Sequence, residues 1–223
     1  MNRFELKQKS KSQISGKLGI LFLCLFVVAA IETILAIIPI LGWIGSLLLM
    51  PPLTVGFYGI YLNLVKDVYP EVKDLFKYIN RFLKALGLNI LVELIVIAGT
   101  ILLIVPGIIF AMALSQANYI FADNPDMKIT DIISTSMSMM KGHKWEFFVL
   151  QLSFLGWVIL GVFTLYILTF VYVIPYYMTT NTNYYLELKN EYLNNLSGAG
   201  TEMNYSSSET TSNTTNDTPW EIK

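Results

Sequence analysis

The stretch ADNPDMKITDIISTSMSMMKGHKWEFF, Ala122 to Phe148, is the most polar interval of an otherwise apolar chain, and it holds the only histidine, His143. Asn124-Pro125-Asp126 is a turn signal, with proline suited to a first helical position. Beyond it, Ile129, Ile132, Ile133, Met137 and Met140 fall on one side of a helix. Asp131, Ser134, Thr135 and Ser138 fall on the other. That spacing is an amphipathic stripe. Apolar runs flank it on both sides, so the spacing predicts a helix lying in the membrane interface, apolar side down. Gly142 ends it. Lys141, His143, Lys144 and Trp145 then form a basic-aromatic collar of the kind found at headgroup level. His143 and Glu146 are one turn apart and would suit a shared metal or proton. They make an incomplete metal site, and the collar is the favoured reading.

Outward from this interval the chain becomes a set of membrane spans. A span takes about 20 mostly apolar residues. Six segments qualify: 18–38, 47–65, 85–104, 107–122, 145–163 and 164–180. The fourth is short and carries Ser115, Gln116 and Asn118. Short, partly polar helices are tolerated where they pack inside a bundle. The basic lead-in and the small residues Ala29 and Ala30 resemble a signal peptide, but the apolar run continues past them. The segment EVKDLFKYINRFLKALG before span three repeats the amphipathic pattern, with Leu75, Phe76, Ile79, Phe82 and Leu83 on its apolar side. The expected fold is therefore all-α: a polytopic helical bundle of six spans with two interfacial helices. Residues 1–189 form one transmembrane domain. The tail 190–223 is polar and low in complexity, and it is expected to be disordered and cytoplasmic.

Composition agrees. The chain is 54% hydrophobic and only 14% charged, against roughly 25% charged in soluble domains. A net charge of −1 argues against nucleic acid as a partner. A single cysteine, Cys24, excludes an internal disulfide and a thiolate metal cluster. All fifteen Lys and Arg residues lie before span one, between spans two and three, between four and five, or after span six. Cytoplasmic loops carry such an excess, so both termini are expected in the cytoplasm. The outer connections are too short to bind anything large.

Shifted by 55 residues, Pro51 falls on Pro106, Asn63 on Asn118, Pro70 on Pro125 and Gly87 on Gly142. The shift suggests a repeat with proline at a helix start, then a span, a Pro-acid-x-Lys turn, an amphipathic helix and a glycine. A third unit at Pro175 fits loosely. Repeats that meet at the bilayer midplane often house transporter sites.

ADNPD followed by MKGHKW resembles the signature of a bacterial membrane protein family catalogued as domain of unknown function nine-seven-five. PLTVG, VPGII and VIPYY are further marks of it. The resemblance covers residues 3 to 190. It departs at MPPLT, where the family more often has a glycine before a single proline. The family implies a multi-pass plasma-membrane protein and no reaction. It is distantly similar to the membrane domain attached to some glycerophosphodiester phosphodiesterases.

Nucleotide-binding, hydrolase, zinc-protease and thiol-redox motifs are missing from the sequence. The expectation is a protein that is not an enzyme and has no cofactor. Its partners would be membrane lipids and other membrane proteins. The candidate functional residues are polar groups inside the spans, where a charge costs about 2.5–3.5 kcal/mol at the centre and is a functional lead by default. They are Glu32 in span one, Asn89, Glu93 and Thr100 in span three, Ser115, Gln116 and Asn118 in span four, and Gln151 in span five. Asn89, Glu93 and Thr100 fall within about 40° of one another at 100° per residue. Together they would line a polar path, or bond between helices. The expected role is maintenance or immunity of the envelope, acting through lipids or partners. The alternative is a small transporter or lipid-handling protein.

Overall fold

A computed structural model describes residues 3–38, 41–163 and 168–206. Among these residues every regular element is helical and no strand occurs. The helices are α1 (Arg3–Ile14), α2 (Leu18–Ala36), α3 (Leu41–Val65), α4 (Phe82–Leu102), α5 (Ile104–Leu114), α6 (Ala117–Asp123), α7 (Ile129–Met139), α8 (Lys144–Phe163) and α9 (Ile174–Ser206). Two 3₁₀ turns, Val72–Phe76 and Ile79–Arg81, lead into α4, and a π-helical segment, Thr169–Val173, leads into α9.

Among the described residues four helical segments are long and apolar enough to cross a membrane: Leu18–Ala36, Gly42–Val65, Val72–Leu102 and Ile104–Asp123. The segments expected as spans five and six flank residues 164–167, which lie outside the described residues. Burial separates the roles of the four. The apolar window of α3 is 61% buried, against 11% for α2 and 17% for the helix ending at Leu102. A helix that is apolar all round and still exposed belongs against lipid or another chain. The protein core sits instead at the end where the basic residues gather, where α3, α6 and α9 meet. It includes Tyr61, Phe121, Tyr184 and Tyr185, each fully buried.

Glycines set the closest approaches. A Cβ on Gly56 would lie 2.1 Å from the Leu75 carbonyl oxygen, so the first 3₁₀ turn rests directly on the α3 backbone. A Cβ on Gly107 would meet Thr100 Oγ1 at 2.1 Å. This closes the α4–α5 hairpin around the single extended residue Leu103. Small residues allow such contact where no water drives association.

Several expectations are corrected. Pro51 and Pro52 lie well inside α3, which starts ten residues before Pro51, at Leu41, rather than at a helix start. The segment before span three is two 3₁₀ turns, and it buries Leu75 and Tyr78, while Phe76, Phe82 and Leu83 are exposed. The helix after NPD does form, as α7, but its buried face is Ile132, Thr135, Ser136 and Met139. The stripe is rotated because α7 packs on α5 and α6: Ser136 Oγ donates to the Ala113 carbonyl at 2.8 Å. The tail expected to be disordered from residue 190 is helical to Ser206. Residues 207–223 lie outside the described residues.

Candidate functional site: a clasped turn and a polar cavity above it

The ADNPD turn is held from four directions. Tyr78 donates its hydroxyl to the Ala122 carbonyl at 2.6 Å. Arg81 donates to the Pro125 carbonyl at 2.9 Å and pairs with Asp126 at 2.6 Å, and Lys84 donates to the Pro125 carbonyl at 2.7 Å. Asp123 is the centre. Its side chain is 9% exposed and takes Lys66 from the end of α3 at 2.7 Å, Lys189 from α9, and the Tyr185 hydroxyl at 3.2 Å. Burial, then the Asp123 charge, hold the Tyr185 phenol well above its ordinary value, so it remains a donor. One carboxylate thus ties three helices at their basic ends. Nothing in the sequence signalled this clasp, because the lysines that meet Asp123 lie 57 and 66 residues away.

The collar is also tied in. His143 places Nδ1 3.5 Å from Glu146 and Nε2 3.1 Å from Glu191 of α9, and its carbonyl accepts from Tyr184 at 3.2 Å. Lys141 and Trp145 are exposed and Lys144 is half-buried. Gly142, at φ +89°, makes the left-handed turn that starts α8. Nearby, Lys7 of α1 donates to Ser153 at 2.6 Å and stands over the Phe154 ring. Burial and the Arg3 charge lower its pKa.

The polar residues expected inside the spans divide into two groups. Glu32 and Glu93 are exposed. Asn89 donates to its own helix at the Ala85 carbonyl, 2.9 Å, and Thr100 to Val96 at 2.8 Å. Asn89, Glu93 and Thr100 do not gather into one polar path: Asn89 is half-buried, Glu93 is exposed, and Thr100 lies at the close approach of α4 to Gly107 of α5.

Ser115, Gln116 and Gln151 do come together, around a cavity of about 350 Å³. Asn181 of α9 and the side chains of Tyr58, Tyr119 and Tyr177 also line it. Gln116 lies two turns before Asp123, about 10 Å along the helix at 1.5 Å per residue, and the chain breaks there between α5 and α6. Gln116 Nε2 donates to Ser115 Oγ at 2.8 Å, and Gln151 Nε2 donates to Asn181 Oδ1 at 2.8 Å. The Gln116 side chain is 1% exposed and its Oε1 has no partner, nor has Asn118 Oδ1 close by. The run Thr179–Asn183 is almost wholly buried. Its five consecutive polar residues were the available signal for Asn181. Nothing in the sequence singled out the tyrosines from other interfacial aromatics.

Among the described residues these features define an all-helical protein with four helices of membrane length and a polar, clasped end where α3, α6 and α9 meet. The family model described as "Protein of unknown function (DUF975)" matches residues 1–106 and 94–192, and the chain belongs to that family. No curated protein and no solved structure matches it.

Proposed function

We propose that the chain is a non-enzymatic, multi-pass protein of the bacterial plasma membrane that holds a membrane lipid in its polar cavity, in the service of envelope maintenance. It would cross six times with both termini in the cytoplasm. The clasped end would then face the cytoplasm, since every basic residue gathers there or in the termini. The observation that carries the lipid reading is the roughly 350 Å³ cavity two turns above that end, lined by aromatic rings and a few amides. Sites for small organic ligands span about 300–1,000 Å³ and combine mostly apolar walls with a few placed polar groups. The outward turn of Glu32 and Glu93 weighs against a proton- or cation-coupled transporter built on those carboxylates.

Native mass spectrometry of the protein purified from membranes tests this. The wild type retains one lipid mass after delipidating washes. Ala111→Phe, which fills the cavity from an exposed position of its lining, retains none. A wild type that carries no lipid, or an Ala111→Phe variant that carries as much, overturns the proposal.

A further inference from the structure

A second polar cavity, of about 210 Å³, lies beside the clasp and shares no residue with the one above it. On α3, Gly59, Asn63 and Lys66 recur at i, i+4 and i+7, which sets them on one face of the helix, and all three line this cavity. The facing wall is the first 3₁₀ turn. At three residues per turn, Asp74 and Lys77 stand on the same side, and both line the cavity as well. The turn is pinned there: the Glu71 N–H and Asn63 Nδ2 both donate to Asp74 Oδ2, at 3.1 and 3.4 Å. Tyr78 lies with its ring against Gly59 and has the Lys77 ammonium 5.8 Å from the ring centroid. Asp123 completes the wall, which is almost wholly polar.

This wall has donors to spare. An ammonium group carries three N–H donors. Lys66 spends one on Asp123, at 2.7 Å, and its side chain is 45% exposed, so the others are reachable. Lys77 is exposed, and among the described residues its ammonium pairs with no carboxylate. Positive charge is in surplus too. Asp123 is shared by Lys66 and Lys189, and Glu71, which caps the turn, is itself paired with Lys73 at 2.7 Å. The wall and the groups bonded to it thus set Lys66, Lys77 and Lys189 against Asp74 and Asp123, an excess of one positive charge.

We propose that this cavity is an anion site that takes a phosphate group, bridged between the Lys66 and Lys77 ammonium groups. A phosphate brings negative charge and several strong acceptor oxygens, and charge-assisted hydrogen bonds are the strong ones. Lysine binds phosphate as a point charge on a flexible stem. Two lysines reaching from α3 and from the facing turn can therefore close on it without moving the backbone. The phosphate comes from one of two sources: an anionic lipid headgroup at the membrane face where the basic residues gather, or phosphate in solution. The site is independent of the lipid-holding reading above, since the two cavities have no residue in common.

The test labels the lysines of the full chain, in maltoside micelles and phosphate-free buffer, with a soluble N-hydroxysuccinimide ester. Peptide mass spectrometry reads each lysine. The preparations compared are micelles alone, micelles with phosphatidylglycerol, and micelles with inorganic phosphate. A bound phosphate is expected to slow labelling of Lys66 and Lys77 at least about tenfold, as charge-assisted bonds hold both. Lys73, on the same turn and 74% exposed, is expected to be unchanged. Protection by phosphatidylglycerol alone assigns the lipid headgroup, and protection by inorganic phosphate assigns the soluble anion. Lys77→Met, at an exposed position, is expected to remove the protection of Lys66, and protection that persists overturns the shared site. Equal slowing of Lys66, Lys73 and Lys77 marks diffuse attraction to a charged surface and overturns the proposal. So does protection in neither preparation.

Discussion

Asp123→Asn removes the one charge that Lys66 and Lys189 share. The asparagine keeps the shape of the side chain and still accepts from Tyr185, so packing changes little. What remains is a lysine problem. Lys189 is 18% exposed and Lys66 45%, while Asp123 itself is 9% exposed. Removing one partner of a buried pair costs about 3–5 kcal/mol. Because Lys66 can turn to water, the low end applies, and the expected loss is about 3 kcal/mol. Lys66→Met should cost no more than about 1 kcal/mol, as for an exposed pair. Asp123→Asn combined with Lys189→Met leaves no buried charge unmatched and should recover most of the loss, because replacing both members of a buried pair is often neutral. Unfolding in dodecyl sulfate mixed micelles, followed by far-ultraviolet circular dichroism, gives the three values. The clasp is refuted if Asp123→Asn lies within about 0.5 kcal/mol of wild type, the range of an ordinary surface change. It is equally refuted if the double variant is no more stable than the single one.

Gly56→Val places a side chain where even a Cβ meets the Leu75 carbonyl at 2.1 Å, so the same micelle titration should show a loss of about 1–3 kcal/mol or more; unchanged stability would mean that the 3₁₀ turn does not rest on α3. Burial holds the Glu187 carboxyl above its usual range, with Glu146 and Glu5 adding and Lys9 opposing. A raised carboxyl pKa favours the fold below the unfolded value, and that contribution is lost as pH rises through the folded one. Glu187→Gln is therefore expected to raise the melting temperature at neutral pH, with the gain vanishing toward about pH 4; a gain constant with pH would contradict the cause. Glu93→Gln and Glu93→Leu should both leave unfolding and lipid retention unchanged, since Glu93 is exposed on α4; loss of retention in Glu93→Gln alone would return a carboxyl function to that face.

The helices were legible because long apolar runs leave few alternatives. Which face of each run turns inward was not. A helix that is apolar all round has no stripe to point at the core, so Glu93 could be aligned with Asn89 and Thr100 but not oriented. Orientation comes from small residues that admit a neighbour, such as Gly99 and Gly107 on the hairpin side of α4 and α5. It also comes from partners remote in sequence, such as Asn181 for Gln151. The tail was misjudged for a related reason. Polar composition cannot nucleate a helix alone, but α9 is already nucleated in the core, and propagation from a fixed end is cheap. Glu191 then reaches His143, and Tyr192 and Leu193 beside it pack against the core.

The repeat shows how little of a sequence a packing rule needs. The 55-residue shift aligns prolines and turns but leaves out α1, which sequence reasoning treated only as a basic lead-in. In the structure each short connecting element packs on one of the helices returning to the basic end: the 3₁₀ turn on α3, α7 on α5 and α6, and α1 on α9. The first connector thus packs on the last helix. α1 and α7 share the geometry of this packing. Leu6, Ser10 and Ile14 are buried ahead of Gly16, just as Ile132, Ser136 and Met140 are buried ahead of Gly142, and both glycines have positive φ. Those core-facing positions and the turning glycine are what the two helices have in common, and α7 buries Thr135 and Met139 besides. The middle connection is the one placed to reach both neighbours, because α6 lies against α3 and its Tyr119 stacks on Tyr185 of α9. That position is why ADNPD carries the clasp: a carboxylate at the end of α6 is within reach of a lysine from the end of α3 and a lysine from α9.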